Sequence, residues 1–172
     1  MPGDPAGSNA KTCHETMQLT FHVERDGITP SLRERLARAR NARGALAAAG
    51  ESVVSMTQRA FTNPSLRPAG WDGLAARTLA GRAKRGRKGT RPLLDSTLLQ
   101  KSIRVVGADN ASVTVGSDRR AGSYSLAAIH QYGAPRRKIP ARPFFPIRPD
   151  GSLTPLARRR FAAALRAALR LG

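Results

Sequence analysis

Three features predict an α+β domain built on one small antiparallel sheet. Residues 17–23, Met-Gln-Leu-Thr-Phe-His-Val, alternate apolar and polar, which is the period of a half-buried strand. Two further apolar runs, 102–106 and 111–116, are joined by Gly107-Ala108-Asp109-Asn110, whose Gly, Asp and Asn supply hairpin chemistry. Two amphipathic segments flank these runs, each opened by a Thr-Pro pair, Thr29-Pro30 and Thr154-Pro155; threonine caps a helix and proline suits its first position. The expected architecture has about four strands (17–23, 102–106, 111–116 and 143–148), covered by a long N-terminal helix and a C-terminal helix.

Taken in order, residues 1–16 are rich in Gly, Pro, Ser and Asn and read as a flexible N-terminal arm. Residues 17–172 read as a single domain. In the first strand Met17, Leu19, Phe21 and Val23 point inward and His22 outward. The first helix places Leu32, Leu36, Ala39, Ala42, Leu46 and Val53 on one face. It runs as far as Phe61, where Asn63-Pro64 stops it. Gly44 and Gly50 each weaken it by ~1 kcal/mol relative to alanine.

A short helix is expected over Trp71–Leu79 and another over Leu93–Gln100, with Leu94 and Leu98 stacked four apart. Between them lies the basic run Gly81-Arg82-Ala83-Lys84-Arg85-Gly86-Arg87-Lys88-Gly89-Thr90-Arg91, read as a mobile loop. Its glycine spacing looks superficially like a phosphate loop, but no apolar strand precedes it, so the strand–loop–helix context of nucleotide hydrolysis is missing. The loop reads instead as a contact for DNA phosphates or an acidic partner, through Arg82, Lys84, Arg85, Arg87, Lys88 and Arg91.

Both tyrosines and two of the five phenylalanines fall between Tyr124 and Ile147. Large aromatics bury the most area per residue, so the core should close there. Ser125–Tyr132 reads as a short helix with Gly133 as its left-handed stop. A basic link, Ala134-Pro135-Arg136-Arg137-Lys138, leads into Ile139–Ile147. Prolines at 140, 143, 146 and 149 bar that segment from a central strand, so it reads as an edge or subunit-facing strand. On that reading Ile139, Arg142, Phe144, Phe145 and Ile147 form a subunit interface. The last helix runs to about Leu171, with Phe161, Ala164, Leu165 and Ala168 on its apolar face and Arg159, Arg166 and Arg170 opposite. It is expected to pack against the sheet.

The length of 172 residues suits one domain able to bury about 70% of its unfolded surface. The 30 Lys and Arg against 11 Asp and Glu give a formal charge of +19, which favours a polyanionic partner. Arginine dominates, and its planar fork suits phosphate. Cys13 is the single cysteine, so no internal disulfide forms and a reducing compartment is comfortable. No run approaches the ~20 apolar residues of a membrane span. The start, Met1-Pro2-Gly3-Asp4-Pro5, lacks a signal pattern. Synthesis and use in the cytoplasm are expected.

No catalytic constellation is expected. His14, His22 and His130 have no metal-ligand spacing with Cys13 or a carboxylate, and nothing around Ser123, His130 and Asp95 marks a nucleophile elbow. His130 reads as a helix residue bonded to backbone. No metal or cofactor is expected.

One resemblance runs through these segments. Tyr124, Ala127, Ile129-His130-Gln131-Tyr132-Gly133 and Ile139-Pro140-Ala141-Arg142-Pro143-Phe144 resemble the phage virion morphogenesis family, the Mu protein G-like tail-completion or neck proteins. Trp71, Leu74, Thr78 and Pro92-Leu93-Leu94-Asp95-Ser96-Thr97-Leu98, followed by Ser102-Ile103, are similar to it too, so that the resemblance covers about Phe61 to Ile147. The family usually has glycine where this chain has Thr97. The resemblance implies a structural virion protein, without enzymatic activity, at the head–tail junction. It would act as a ring, by analogy a hexamer, and help to join head and tail. Its implied partners are other copies of itself, neck, connector and tail proteins, and packaged double-stranded DNA in the channel. Its implied location is the virion, with the host cytoplasm as the place of assembly. The rival reading is a sequence-independent nucleic-acid-binding protein, whose signature would be aromatics interleaved with basic residues. The 81–91 loop has no aromatic.

Overall fold

Valines at alternate positions set the centre of the sheet. In a computed structural model, which describes residues 18–22 and 42–170, β1 (Gln18–His22), β2 (Arg104–Ala108) and β3 (Ser112–Gly116) form one antiparallel sheet in the order β1-β3-β2. Val113 and Val115 in the middle strand are fully buried, and Val115 lies opposite Leu19 and Val105. Thr20 and Thr114 pair on the other face, with their hydroxyls 3.0 Å apart. His22 is exposed, on the outward side as its strand period requires. The expected arm over 1–16, Met17, Val23 and the helix start at 29–41 lie outside the described residues.

The β2–β3 hairpin turns later than its glycine suggested. Gly107 and Ala108 stay in β2, and a register shift between Val105 and Gly107 leaves Val106 bulged and exposed. Such an extra residue bends and twists a strand. The turn itself is tied by Asp109, whose carboxylate accepts from the Ala111 and Ser112 N–H groups at 2.7 Å each. These bonds to its charged form hold its pKa below the ordinary aspartate value.

The long helix, α1, is described over Ala42–Ala60. Small residues repeat on its buried surface, including Ala45, Ala49, Gly50 and Ala60, so neighbours approach closely on more than one side. A Cβ at Gly50 would stand 2.7 Å from Val113 Cγ2 and 3.0 Å from Val105 Cγ2. The glycine that weakens the helix locally is therefore what lets the helix lie flat on the sheet. At the far end Asn63 caps a short 3-10 turn, Pro64–Leu66. Arg67 reaches back and donates to the Ala60 and Phe61 carbonyls at 2.7 and 3.1 Å, a cation on the negative end of the helix dipole.

The chain continues through α2 (Ala76–Lys84) and α3 (Leu98–Lys101). The expected Trp71–Leu79 helix is displaced toward the C-terminus. Gly70 and Gly73 precede it, and Trp71 packs as a loop residue. The expected helix over Leu93–Gln100 shrinks to its last turn because Leu93 and Thr97 have φ of 62° and 56°. Leu99, not Leu98, consequently enters the core, while Leu98 stays exposed. Thr97 adopts the left-handed conformation in which glycine would be unstrained, at a cost of roughly 1–2 kcal/mol for a residue with a side chain.

A second, two-stranded ribbon, β4 (Arg120–Ala121) and β5 (Tyr124–Ser125), leads into α4 (Leu126–Tyr132). A 3-10 turn, Pro135–Arg137, follows. The last helix, α5 (Pro155–Arg170), starts at Thr154 as its Thr-Pro pair requires. The Thr154 hydroxyl accepts from the Ala157 N–H at 3.4 Å. It packs chiefly on α1 instead of on the sheet, with Ala157 and Phe161 buried. The mixed helix-and-antiparallel-sheet class is as the sequence predicts. The fourth strand is not: 143–148 forms no strand and keeps one isolated bridge, Ile147 to Leu153.

Candidate functional site

The proline-fenced segment is an internal latch. Its prolines carry no N–H, which leaves few donors to satisfy when it is buried. Three of those that remain meet α4. The Arg142 N–H donates to the His130 carbonyl at 2.6 Å. The buried side chain of Gln131 accepts from the Phe144 and Phe145 N–H groups at 3.0 Å each. Neighbouring N–H groups point to opposite sides of a regular strand, so one acceptor for both means the chain turns inward there. That geometry is why 143–148 is not an edge strand.

Each motif position has a physical task in this latch. Ser125 caps α4 by accepting from the Ala128 N–H at 3.3 Å. Gly133 ends the helix at φ 79°, ψ 173°, a region essentially reserved for glycine. Ala134 and Ile139 bridge through reciprocal backbone bonds of 2.9 and 3.1 Å. The Arg142 guanidinium is buried and donates to the Asp72 and Gly73 carbonyls at 3.1 and 2.8 Å. The Trp71 indole N–H donates to the Pro143 carbonyl at 2.8 Å. Phe144 then reaches Phe61 and Phe145, each with ring centres 4.9 Å away.

Of the residues expected at a subunit interface, Ile139, Arg142, Phe144, Phe145 and Ile147, most are packed inside the chain. Phe144 and Phe145 are fully buried within one chain, and Arg142 and Ile147 nearly so. Only Ile139 keeps partial exposure. The other four side chains leave little or no surface for a neighbour. A bond to backbone is expected for His130; its Nδ1 is buried without a hydrogen-bond partner among the described residues. Burial, and then the nearby Arg142 charge, push its pKa below the usual histidine value, so the ring is neutral at pH 7.

The 81–91 run is organised by an arginine that sequence reasoning placed on the surface. Gly81–Lys84 is the end of α2, so the loop begins later than expected. Arg82 is buried, donates to the Gly89 and Arg91 carbonyls at 2.7 and 2.9 Å, and lies 3.4 Å from Asp95. It acts as a strut that folds the loop back. Arg87 and Arg85 pair with the same carboxylate at 2.7 and 3.7 Å. Lys84, Lys88 and Arg91 are exposed and form no ion pair among the described residues. A shallow pocket of about 360 Å³ lies between α2 and the loop, lined by Leu79, Arg82 and Gly86–Thr90.

A second cationic face was signalled in the sequence only by its basic link. No Asp or Glu occurs between Asp118 and Asp150. Within that stretch Arg119, Arg120, Arg136, Arg137 and Lys138 are all exposed. The stretch was readable as acid-free; what brings its two ends together was not. The Leu126 N–H donates to the Arg119 carbonyl at 2.9 Å, and the Arg137 guanidinium sits 3.9 Å over the Tyr124 ring.

Among the described residues no group of three His, Cys, Asp or Glu side chains could hold a metal ion, and no helix is long and apolar enough to cross a membrane. The model of the phage virion morphogenesis family matches residues 23–161. The chain belongs to the phage virion morphogenesis family. The match extends beyond the 61–147 span of the motifs on both sides, taking in the long helix and the first seven residues of α5 but not β1. No curated protein and no solved structure matches the chain. The family is one of virion assembly, so this is a phage virion structural or assembly protein. Several of its motif residues, among them Ala127, Gln131, Arg142 and Phe144, are buried within the chain.

Proposed function

We propose that this protein forms a closed ring, by analogy of six copies, at the head–tail junction, where it completes the tail or neck and helps to join tail to head. The family supplies the virion role. The observation that carries the location is the surplus of exposed cations. Against a formal charge of +19, only Asp95 and Asp118 form ion pairs among the described residues. A collar around a genome channel meets a polymer of phosphates electrostatically and needs no base-reading element. On this reading the partners are copies of itself, neighbouring neck, connector and tail proteins, and packaged double-stranded DNA. Lys84 at the end of α2, with Lys88 and Arg91 on the loop after it, face the DNA or an acidic neighbour. Copies then meet through surfaces outside the latch, as a heterologous contact that closes.

Native mass measurement of the full chain tests the ring. The expected result is one dominant species of six protomer masses, or formation of that species when the neck or tail partner is added. A monomer that persists with its partners and binds duplex DNA tightly would contradict the ring and favour the sequence-independent nucleic-acid-binding alternative.

A further inference from the structure

We propose that the face formed by the β4–β5 ribbon and the 135–138 turn is a binding surface for the phosphate backbone of duplex DNA, distinct from the α2 loop. Its two halves are far apart in sequence but joined in space. The Arg119 carbonyl is tied to the start of α4, and Arg137 lies over Tyr124 of β5. Arg119, Arg120, Arg136, Arg137 and Lys138 are exposed, and none of them forms an ion pair among the described residues. The nearest carboxylate in sequence, Asp118, is already engaged by Arg104 at 2.9 Å. The α2 loop differs: Arg82 beneath it is buried, and Arg82, Arg85 and Arg87 all pair with Asp95.

The occupant follows from charge and from the tyrosines. A second copy of the chain brings the same +19 and is a poor source of the missing anions. Duplex DNA carries one negative charge per roughly 1.7 Å of axis, and arginine forks match phosphate oxygens. A single strand would need successive open rings on which bases stack. Tyr124 has one face covered by Arg137, and of the two tyrosines Tyr132, at 67% exposure, is the open one. Five cations without a second open ring suit contact with phosphates, with no reading of sequence. This surface would act in a ring or in a single copy, so it does not rest on the hexamer.

The test titrates a labelled random-sequence duplex with the full chain by fluorescence anisotropy over a series of salt concentrations. Wild-type protein should show a linear fall of log K with log salt. The triple variant Arg136→Gln, Arg137→Gln, Lys138→Gln should flatten that slope by about 2–3, near 0.9 per lost phosphate contact, and weaken binding on the order of 10²-fold at low salt. Its thermal melt serves as the folding control. Tyr132→Ala should leave the duplex slope unchanged. An unchanged slope in the triple variant overturns the proposal. So does tighter binding of an oligo-dT strand that is lost in Tyr132→Ala, or poly-glutamate competing as well as duplex at equal charge. A monomeric mass with a flattened slope in the variant would remove the ring and leave this surface standing.

Discussion

Phe144→Ala is expected to destabilise the protomer by about 3–5 kcal/mol, the usual cost of emptying a buried phenylalanine site. Phe144 is fully buried, touches Phe61 and Phe145, and its backbone N–H is held by Gln131. The loss is a large part of the roughly 5–15 kcal/mol that keeps a domain folded. Urea titration followed by circular dichroism would show a lower midpoint with little change in slope. Assembly would fail only as a consequence. A variant that melts like wild type but no longer assembles would return Phe144 to the surface and restore the interface reading of this segment.

Gly133→Ala is expected to cost about 2–5 kcal/mol, the sum of backbone strain and overpacking. The residue sits at φ 79°, ψ 173°. An added Cβ would stand 2.9 Å from the Ala141 nitrogen and 3.1 Å from the Ile139 oxygen. Both are backbone atoms, and the Ala134–Ile139 bridge and the Arg142-to-His130 bond fix that stretch. No side-chain rotation relieves the contact. Gly122 is the control: it has φ 61° but nothing within 4 Å of its added Cβ. Gly122→Ala should lose only about 1 kcal/mol, the left-handed cost alone. Equal melts for the two variants would contradict the latch geometry.

Elements written in local chemistry were legible in the sequence. The alternation of 18–22, the stop at Asn63-Pro64, the Thr154-Pro155 start and the glycine after Tyr132 each rest on residues close in the chain. Elements decided by distant partners were not. Prolines at 140, 143 and 146 fit an edge strand, where a missing N–H faces water, and equally a buried irregular segment, where it removes a donor. Only Gln131, placed by α4, decides between them. Arg82 looked like its basic neighbours because burial depends on Asp95 and on the loop carbonyls folding over it. Gly50 read as a helix defect because Val105 and Val113 lie on other elements. The Leu93–Gln100 helix failed for a related reason: two residues with side chains, Leu93 and Thr97, take positive φ, which no propensity foretells.

The motif residues and the proposed contacts of this protein thus separate. The His-Gln-x-Gly and Pro-Ala-Arg-Pro-Phe segments hold the chain together, and the outward cations are proposed to answer to phosphate. Hydrogen exchange of the Phe144 and Phe145 amides tests that division most directly. In the free, unassembled chain both amides should exchange only through global unfolding, as slowly as the Val113 and Val115 amides of the central strand, and assembly should not slow them further relative to those valines. Rapid exchange in the free chain, with protection appearing only on assembly, would contradict the account and place the segment at a subunit boundary.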